Sequence, residues 1–575
     1  MAFELKPGSK LRTSSTVQRQ ALDAIAATNL PGIVVMPCGS GKTSVFVQAA
    51  CAAGRKVLFL CYEKQGVIQV AETLREHTSI QESQLCVYTS DIKKEPNVLY
   101  CFMVTTYGMF ATTGGSRSEL TKRVRNYVTS TAWDLVVLDE VHHAAAATYK
   151  PLVEVLVANS KRTLGFTGTL CRNELMGQVT GLTRDEFMEQ QFGFIGEVLY
   201  SSKCSDLESD GLIAKVRCMQ VLAPLTPHFA AAHAKAKGSC KQYVQSLHPN
   251  KLIAVWLLVR MHRALGEIGM VFVNHLLHAK VVQQMLGPRW EILSGGNAHG
   301  TEGVHTAAAN AAIVRRFNAG DLDGVVSTPV GESALDVHNP RFRYAIVVDA
   351  HGGPTAASQK LGRLARTPRL APKENESDAD YCRRLRAAQK QAAYYEVVTP
   401  QTEEETAARA RCEQFEYEGY GFETRTYDDL VACAHAAGCS AADAPHSGEE
   451  TQLQLLAEAL TYQHMGTLEG AANAQAKAAL EPHRNAIRSA KAKASGSSHP
   501  IFKQRYKQAA RALSKQTAAH KASARDAKHR ALRDSPLPPE AAEVLRGLEL
   551  PAELLARAGI ALPQEMAHDA GESEK

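Results

Sequence analysis

Several classes of protein are excluded by what this 575-residue sequence lacks. No apolar run reaches the roughly 18 residues that a membrane-spanning helix needs. The first twelve residues, MAFELKPGSKLR, contain no apolar segment of the kind found in secretory signals. The 13 cysteines are scattered, and none belongs to a CxxC pair. This pattern excludes a zinc ribbon and a disulfide framework and argues against an iron–sulfur cluster. The sequence therefore predicts a reduced, intracellular protein.

The overall composition is that of a soluble globular protein, with 45% hydrophobic and 22% charged residues. The net charge of +6 is too small to identify a partner by itself. At roughly 100–200 residues per domain, the length predicts about three domains.

Short β-branched runs alternate with longer helical stretches from about residue 11 to residue 430. This alternation predicts βαβ units, and its length is too great for one sheet. We therefore predict an α/β fold with two doubly wound parallel sheets, which divide within the polar, turn-rich segment 201–211. The predicted domains are a short lead (1–10), two sheet domains (11–205 and 206–430) and a C-terminal extension (431–575). The clearest predicted strands are 33–36, 57–60, 135–138, 270–273, 324–327 and 345–348.

The C-terminal extension changes its charge along its length. Residues 431–482 are rich in alanine and acids, whereas residues 483–533 carry 14 lysines and arginines against one acid, Asp526. Such a basic run is typical of a solvated helix or a disordered tail. It is also consistent with contacts to a phosphate backbone or with a nuclear-import signal.

A candidate phosphate-binding loop lies at residues 36–44, between the first predicted strand and a predicted helix. The usual pattern begins with glycine, where this chain has Met36; the rest of the motif, GSGKT, is complete. Its glycines would let backbone N–H groups converge on a phosphate. Lys42 would reach the β- and γ-phosphate oxygens, and the Thr43 hydroxyl would ligate Mg²⁺. The candidate nucleotide-binding residues are Pro37, Cys38, Gly39, Ser40, Gly41, Lys42, Thr43 and Ser44.

A second strand ends in two carboxylates, Asp139 and Glu140. Asp139 at the strand tip could hold Mg²⁺ through water, and Glu140 could polarise the attacking water. Together with the phosphate-binding loop, this pair predicts hydrolysis of a bound nucleotide with Mg²⁺ as the cofactor, and the resemblance described below implies that the nucleotide is ATP. His142 and His143 follow directly, but no third ligand is near them in the sequence. We therefore predict no metal beyond Mg²⁺.

The combination of DEVH and PCGSGKT resembles superfamily-2 helicases, and the wider pattern resembles the XPB family within them. This family supplies the DNA translocase and helicase of nucleotide-excision repair and of the general transcription factor TFIIH. The resemblance implies two tandem RecA-like domains followed by a helical or partly disordered extension. The matching stretches are 11–12, 18–22, 105–107, 165–170, 211–216, 248–251, 330–336, 359–366, 394–398, 414–422 and 498–503.

The resemblance also implies roles for individual residues. Gln18 belongs to a segment on the adenine side of the nucleotide, and Gln359, Arg363 and Arg366 to the motif QxxGRxxR. Two arginines three residues apart would share one helical face and could reach across the cleft to the γ-phosphate. Thr106 and the segment 330–336 would contact the DNA backbone. Opening and closing of the cleft with each ATP would then move the protein along one strand.

The sequence departs from the family at three places. About ten residues precede Leu11, where family members carry a large N-terminal part that includes a damage-sensing domain and docks into TFIIH. An Arg-Glu-Asp trio of the family is replaced by 172–174 (Arg-Asn-Glu), which bears on strand separation. A basic insert is shortened to the surroundings of Lys235, Lys237 and Lys241. These departures favour a trimmed paralogue that acts in repair more than in promoter opening.

The leading hypothesis is thus an ATP-dependent DNA helicase or translocase in nucleotide-excision repair, with 3′→5′ polarity and nuclear localisation implied by the resemblance. Repair or TFIIH-like proteins would bind through the extension. One alternative is a TFIIH-type subunit that opens promoters, and another is a non-catalytic DNA-binding scaffold. A third is an RNA helicase, against which the 6% aromatic content argues, because RNA-binding proteins often stack bases on aromatic side chains.

Overall fold

A computed structural model describes residues 3–6, 9, 11, 16–37, 39–54, 56–95, 101–111, 119–168, 184–236, 239–294, 307–329, 337–348, 354–366, 370, 373, 376–457, 460, 485 and 544. Within these residues the chain forms two lobes, each built on a seven-stranded sheet.

Lobe 1 is a seven-stranded sheet in which every strand pair is parallel, in the order β3-β4-β2-β5-β6-β1-β7. Its strands are β1 Gly32–Val35, β2 Val57–Cys61, β3 Leu85–Tyr88, β4 Phe102–Thr106, β5 Leu135–Asp139, β6 Thr163–Thr167 and β7 Glu197–Ser201. Its helices are α1 Thr16–Ala26, α2 Lys42–Ala53, α3 Lys64–His77, α4 Glu119–Ser130, α5 Lys150–Ala158 and α6 Arg184–Phe192. Short 3₁₀ turns occupy Glu82–Gln84, Tyr107–Met109 and Val141–His143.

Lobe 2 repeats the same topology with strands β8 to β14, all parallel, in the order β10-β11-β9-β12-β13-β8-β14. The strands are β8 Lys215–Leu222, β9 Ile268–Phe272, β10 Trp290–Leu293, β11 Gly324–Ser327, β12 Phe342–Val347, β13 Gln391–Val398 and β14 Phe422–Thr426. The helices are α7 Cys204–Ser209, α8 Pro227–Lys235, α9 Ser239–Ser246, α10 Pro249–Ala264, α11 Leu276–Leu286, α12 Ala307–Ala319, α13 Pro354–Leu364, α14 Asp378–Ala387, α15 Glu403–Tyr417 and α16 Tyr427–Ala436, with a 3₁₀ turn at Ala441–Asp443.

The inner strands are apolar on both faces because helices cover both sides of each sheet. All five residues of β2 and all five of β4 are buried, whereas the edge strands β7 and β14 are mostly exposed. Aromatic rings bridge the strands of lobe 1 to the phosphate-loop helix α2: Phe46 lies 5.4 Å from Phe166 and 5.8 Å from Phe59 between ring centroids. This packing fixes α2 over the middle of the sheet.

The strand register determines which strand ends lie level with one another at the carboxyl edge of the lobe 1 sheet. Val35 at the end of β1 pairs with Thr167 at the end of β6, and Asp139 at the end of β5 pairs with Phe166. Three strands therefore end at one level, and the side chains that follow them meet at one edge.

Lobe 2 contains two buried ion pairs. The Lys251 ammonium lies 2.7 Å from a carboxylate oxygen of Glu404, with both side chains fully buried. Gln245 and the Thr399 backbone N–H also donate to Glu404. The second pair joins Arg411 to Glu396 at 3.1 Å. The segment 248–251 thus has a structural role inside this lobe.

The predicted architecture of two doubly wound parallel sheets is confirmed, and the six clearest predicted strands fall on β1, β2, β5, β9, β11 and β12. Two details differ from the prediction. The connector carries helix α7, whose Cys204 and Leu207 are buried, because these two apolar side chains lie one turn apart. The core of lobe 2 also continues past residue 430, since Leu455 and Leu456 pack into it.

Most of the C-terminal extension, including nearly all of the basic run 483–533, lies outside the described residues. In the part of the chain that the structure describes, no helix is long and apolar enough to cross a membrane.

Candidate active site

The phosphate-binding loop leaves β1 at the carboxyl edge of lobe 1. Met36 continues the strand: its N–H donates to the Thr167 carbonyl oxygen at 2.9 Å, and its side chain is fully buried in the core. The Met36 carbonyl oxygen accepts a hydrogen bond from Lys42 Nζ at 3.2 Å. The departure from the usual glycine is therefore tolerated, because the side chain at position 36 points into the core and away from the loop.

Two glycines of the loop have backbone conformations that favour glycine, with φ of +88° at Gly39 and +82° at Gly41. A Cβ atom at Gly41 would come within 2.3 Å of the Gln18 side-chain nitrogen. That nitrogen donates to the Ser40 carbonyl oxygen at 2.7 Å. Gln18 on α1 thus supports the phosphate-binding loop through this hydrogen bond. The resemblance implies only that Gln18 lies on the adenine side of the nucleotide.

The loop suits a bound phosphate. It leads directly into helix α2, whose N-terminal N–H groups favour an anion. The Ser40 hydroxyl is buried and has no hydrogen-bond partner among the described residues. Thr43 is the second residue of α2 and is half-buried beside the loop, while Pro37 and Ser44 flank it. Cys38 lies outside the described residues.

Asp139 ends β5 at the same edge. The hydroxyl of Tyr107, a residue that follows β4, donates to the Asp139 carbonyl oxygen at 3.1 Å. This bond joins the ends of β4 and β5, the two strands on either side of β2. Burial and the charge of Glu140 raise the pKa of Asp139 to about 7, and the charge of Lys42 opposes that rise. Lys42 and the two carboxylates therefore share one electrostatic environment, and a divalent cation there would hold Asp139 in its charged form.

Glu140 has a left-handed backbone conformation, with φ of +49°. The Thr167 hydroxyl donates to a Glu140 carboxylate oxygen at 3.2 Å, and His142 Nδ1 lies 2.9 Å from the same hydroxyl. Thr167 and His142 are both buried. The DEVH turn is thereby connected to the end of β6, where the GFTGT motif begins.

His142 and His143 follow Glu140 but do not form a metal centre with it. Among the described residues, no group of three or more histidine, cysteine or acidic side chains could hold a metal ion. His142 serves the hydrogen-bond connection to Thr167.

Lobe 2 reaches this edge through the segment before β8. Ile213 lies against the phosphate-binding loop, since a Cβ atom at Gly39 would be 3.1 Å from its Cγ2 atom. The same segment pairs with the end of α13, where the Ala214 N–H donates to the Ala365 carbonyl oxygen and Ile213 bridges Arg366. The arginine motif of lobe 2 is thus attached to the strip of chain that covers the loop of lobe 1.

The charge of Arg363 also acts at the edge of lobe 1. Burial raises the pKa of Glu63, the charge of Arg363 lowers it, and the charge of Glu140 raises it. Glu63 is therefore close enough to both Glu140 and Arg363 of lobe 2 for their charges to change its pKa. The prediction that the two arginines share a helical face is wrong: α13 ends at Leu364, and Arg366 is held in extended pairing with Ile213.

Other predicted site residues have little exposed surface or lie outside the described part. Thr106 is 8% exposed, so its side chain offers little surface to DNA. The side chain of Gln359, Lys237 and the segments 169–174 and 330–336 lie outside the described residues. Glu63 and Ile213 were not predicted. A signal for Glu63 exists, because it follows a buried strand just as Asp139 and Glu140 end or follow one.

Comparison with known proteins by sequence similarity also indicates a helicase. Residues 207–488 match the family model described as the ERCC3/RAD25/XPB C-terminal helicase. Residues 12–172 match the model of the res subunit of type III restriction enzymes. Residues 207–488 therefore form a helicase domain of the XPB family.

Relatives within the XPB family are about a quarter identical to this chain. The TFIIH helicase/translocase subunit XPB of Dictyostelium discoideum is 28% identical over 463 residues, which are 80% of this chain and 52% of the relative. XPB2 of Arabidopsis thaliana is 27% identical over 88% of this chain and 64% of its own length. The chain spans about half to two thirds of the length of these relatives. Among solved structures, the helicase domain of Hef from Pyrococcus furiosus has a TM-score of 0.43 and 14% identity, over 68% of this chain and 97% of that domain.

Proposed function

We propose that this chain is an ATP-dependent DNA helicase or double-stranded DNA translocase that acts in nucleotide-excision repair. The observation that carries the proposal is the convergence of Lys42, Asp139 and Glu140 at one sheet edge, with the charge of Arg363 from lobe 2 acting on the same edge. A phosphate-binding loop alone would support binding of ATP. A carboxylate base and an arginine from the opposite lobe add the groups that hydrolysis needs.

The phosphate-binding loop would hold the triphosphate. Backbone N–H groups of Gly39, Ser40 and Gly41 would surround the β-phosphate, and Lys42 would exchange its bond to the Met36 carbonyl for the β- and γ-phosphate oxygens. Thr43 and Asp139 would hold Mg²⁺, which when bound neutralises charge on the β- and γ-phosphates. Gln18 would maintain the conformation of the loop through its hydrogen bond to the Ser40 carbonyl oxygen.

Glu140 would accept a proton from the water that attacks the γ-phosphorus. Its hydrogen bond from Thr167 fixes the direction of its carboxylate and ties that direction to the end of β6. Arg363 and Arg366 would stabilise charge on the γ-phosphate oxygens from lobe 2. Gln359 would contribute from the same motif.

Movement of the lobes would follow from the loss of the attraction between the arginines of lobe 2 and the γ-phosphate bound to lobe 1. With ATP bound, the arginines of lobe 2 have an anionic partner on lobe 1; after hydrolysis and release of phosphate, that attraction is lost and the lobes can part. Ile213 lies on the loop and pairs with Arg366, so a change at the nucleotide would reach lobe 2 through it. The proposed direction along DNA is 3′→5′.

The biological role is proposed from the relatives. They are named as helicase/translocase subunits of the general transcription and DNA repair factor IIH. For this chain we propose DNA as the partner, contacted mainly through its phosphate backbone, with repair or TFIIH-like proteins bound through the C-terminal extension, and a nuclear location. A subunit that opens promoters is the second candidate, since the same names include transcription.

The proposal is tested by ATP turnover of the purified chain with and without duplex DNA, alongside Lys42→Arg and Glu140→Gln. A matched control is Lys161→Arg, a lysine of lobe 1 whose side chain is 77% exposed. We expect turnover that duplex DNA stimulates, that both site variants lose, and that the control retains. Displacement of a triplex-forming strand would then distinguish duplex translocation from strand separation.

Two results would contradict the proposal. Turnover that Lys42→Arg and Glu140→Gln leave unchanged would assign hydrolysis to another site or a contaminant. Binding of DNA without turnover under any nucleotide or DNA condition would favour the non-catalytic scaffold.

A further inference from the structure

The DEVH turn is held in an unfavourable backbone conformation. Glu140 has φ of +49°, a left-handed conformation that is unfavourable for a residue with a side chain. Such a conformation persists only where contacts on its surroundings impose it. The 3₁₀ turn Val141–His143 follows immediately, and the His143 N–H donates to the Glu140 carbonyl oxygen at 3.0 Å. Contacts made by this turn therefore decide where the Glu140 carboxylate points.

On its inner side, the turn is anchored to β6. Val141 is fully buried against Gly165, where an added Cβ atom would lie only 2.7 Å from the Val141 side chain. His142 is buried and is hydrogen-bonded to Thr167. These contacts fix one side of the turn.

On its outer side, the turn is covered by Tyr62. The rings of Tyr62 and His143 are stacked, with centroids 3.5 Å apart and an angle of 5° between their planes. Tyr62 directly follows β2 and precedes α3, and β2 pairs with β5, the strand that ends in Asp139. The stack thus connects the ends of two neighbouring strands across the outer side of the site.

We propose that Tyr62 is a positioning residue for Glu140. By stacking on His143, Tyr62 keeps the DEVH turn packed against Gly165 and Thr167 of β6. This packing holds the carboxylate of Glu140 in the direction that hydrolysis needs. The inference rests on the proposed ATP hydrolysis. Tyr62 stacks on the turn that follows β5, whereas the phosphate-binding loop follows β1. The loss of Tyr62 is therefore expected to change the hydrolytic step and to spare ATP binding.

The test uses Tyr62→Ala, Tyr62→Phe, His143→Ala and the double variant Tyr62→Ala/His143→Ala in the full chain. Ile68→Ala is the matched control, because Ile68 is an exposed hydrophobic residue of the adjacent helix α3. We expect Tyr62→Ala to lower kcat about tenfold while KM for ATP changes less than twofold. Tyr62→Phe keeps a flat ring and should retain most of kcat. The double variant should be no worse than the poorer single variant, since either change removes the same stack.

A second readout does not depend on turnover. Hydrogen exchange at the backbone amides of His143 and Ala144, which close the turn by hydrogen bonds, should become severalfold faster in Tyr62→Ala and stay unchanged in Ile68→Ala. A wild-type chain without any turnover would contradict the proposed function, while the exchange rates would still test the stack. The inference is overturned if these amides exchange at the wild-type rate in Tyr62→Ala. It is also overturned if an active chain shows equal kcat for wild type and Tyr62→Ala, or if Tyr62→Phe loses as much as Tyr62→Ala.

Discussion

The two lobes have the same strand order but place their charged groups differently. Lobe 1 gathers Lys42, Asp139 and Glu140 at the carboxyl edge of its sheet, where burial raises the pKa of Asp139. Lobe 2 instead encloses charges in pairs, Lys251 with Glu404 and Arg411 with Glu396, away from water. The loop after the first strand differs in the same sense: lobe 1 has the glycine-rich GSGKT, whereas β8 of lobe 2 is followed by Ala-Pro-Leu-Thr-Pro.

This difference shows how one topology serves two purposes. Glycines with positive φ let a loop surround an anion, and residues such as Pro224 and Pro227 after β8 do not. A charge that is to bind a substrate must keep its capacity for a partner, whereas a charge that stabilises the fold can be neutralised inside it. In the proposed function, lobe 1 therefore provides most of the chemistry, and lobe 2 provides a rigid body that carries the arginines.

The largest expected effect is the loss of hydrolysis in Glu140→Gln. Removal of a general base typically lowers turnover by about 10²–10⁴-fold, and we expect kcat for ATP to fall within that range. The substitution keeps the size of the side chain, so the thermal midpoint should stay within about 2 °C, since a change of 1 kcal/mol shifts it by a few degrees. Steady-state kinetics and calorimetry check both parts. A fall in kcat that merely follows a fall in the folded fraction would contradict the separation of chemistry from stability in lobe 1.

The converse change in lobe 2 should affect stability and spare chemistry. Lys251→Met would leave the carboxylate of Glu404 buried without its cation, which typically costs about 3–5 kcal/mol. Denaturant unfolding monitored in both lobes checks this, with the double variant Lys251→Met/Glu404→Leu as the control. The double variant should regain most of the loss. Equal destabilisation in the single and double variants would contradict the view that the unpaired charge is the cause.

A change in the phosphate-binding loop should weaken ATP binding with a smaller effect on the fold. Gly41→Ala adds a Cβ atom at a residue with φ of +82°, within 2.3 Å of Gln18. We expect the dissociation constant for MgATP to rise about tenfold, as for a loss of about 1.4 kcal/mol. Gly421→Ala is the control, since open space surrounds that glycine and its φ is not positive. Similar binding by both variants would count against the tight loop geometry.

The smallest expected effect is a pH dependence that arises in lobe 2. Burial, and then the charge of Arg343, lower the pKa of Lys390 to about 7. The folded state therefore holds fewer protons than the unfolded state between about pH 7 and pH 10.5, and its free energy of unfolding should rise with pH there. This contribution is complete above pH 10.5 and is lost as the pH falls through 7.

Urea unfolding at pH 7 and pH 8 measures this dependence. Relative to Lys390→Met, which cannot titrate, the wild-type chain should gain about 1 kcal/mol between the two pH values. The same slope in both proteins would show that Lys390 is not the group responsible.

Much of the fold follows from local sequence, because strands buried on both faces must be apolar throughout. The runs at β5 and β9 are therefore visible without any structure. The continuation of lobe 2 past residue 430 carries a weaker signal, the one-turn spacing of Leu456 and Leu460 within an alanine-rich stretch. The end of α13 before Arg366 could not be predicted, since it depends on pairing with Ile213 far away in the chain.

The candidate site likewise has features that the sequence predicts and features that it does not. Lys42, Asp139 and Glu140 are recognisable because each follows or ends a strand in a known pattern, and their roles stay predictions. The contacts that orient them join distant parts of the chain: Gln18 to Ser40, Thr167 to Glu140, and Tyr62 to His143. Spacing along the sequence gives no information about such pairs.

The central claim is that hydrolysis takes place at a site shared by both lobes. The most direct test measures MgATP binding and ATP turnover in Arg363→Ala, with Arg409→Ala, an arginine of lobe 2 whose side chain is 75% exposed, as the control. We predict that Arg363→Ala binds MgATP within about threefold of the wild type while its kcat falls at least a hundredfold, as for loss of an arginine finger, and that Arg409→Ala behaves as the wild type. Turnover in Arg363→Ala equal to that of the wild type would contradict the claim, because lobe 1 would then hydrolyse ATP without the arginine of its partner lobe.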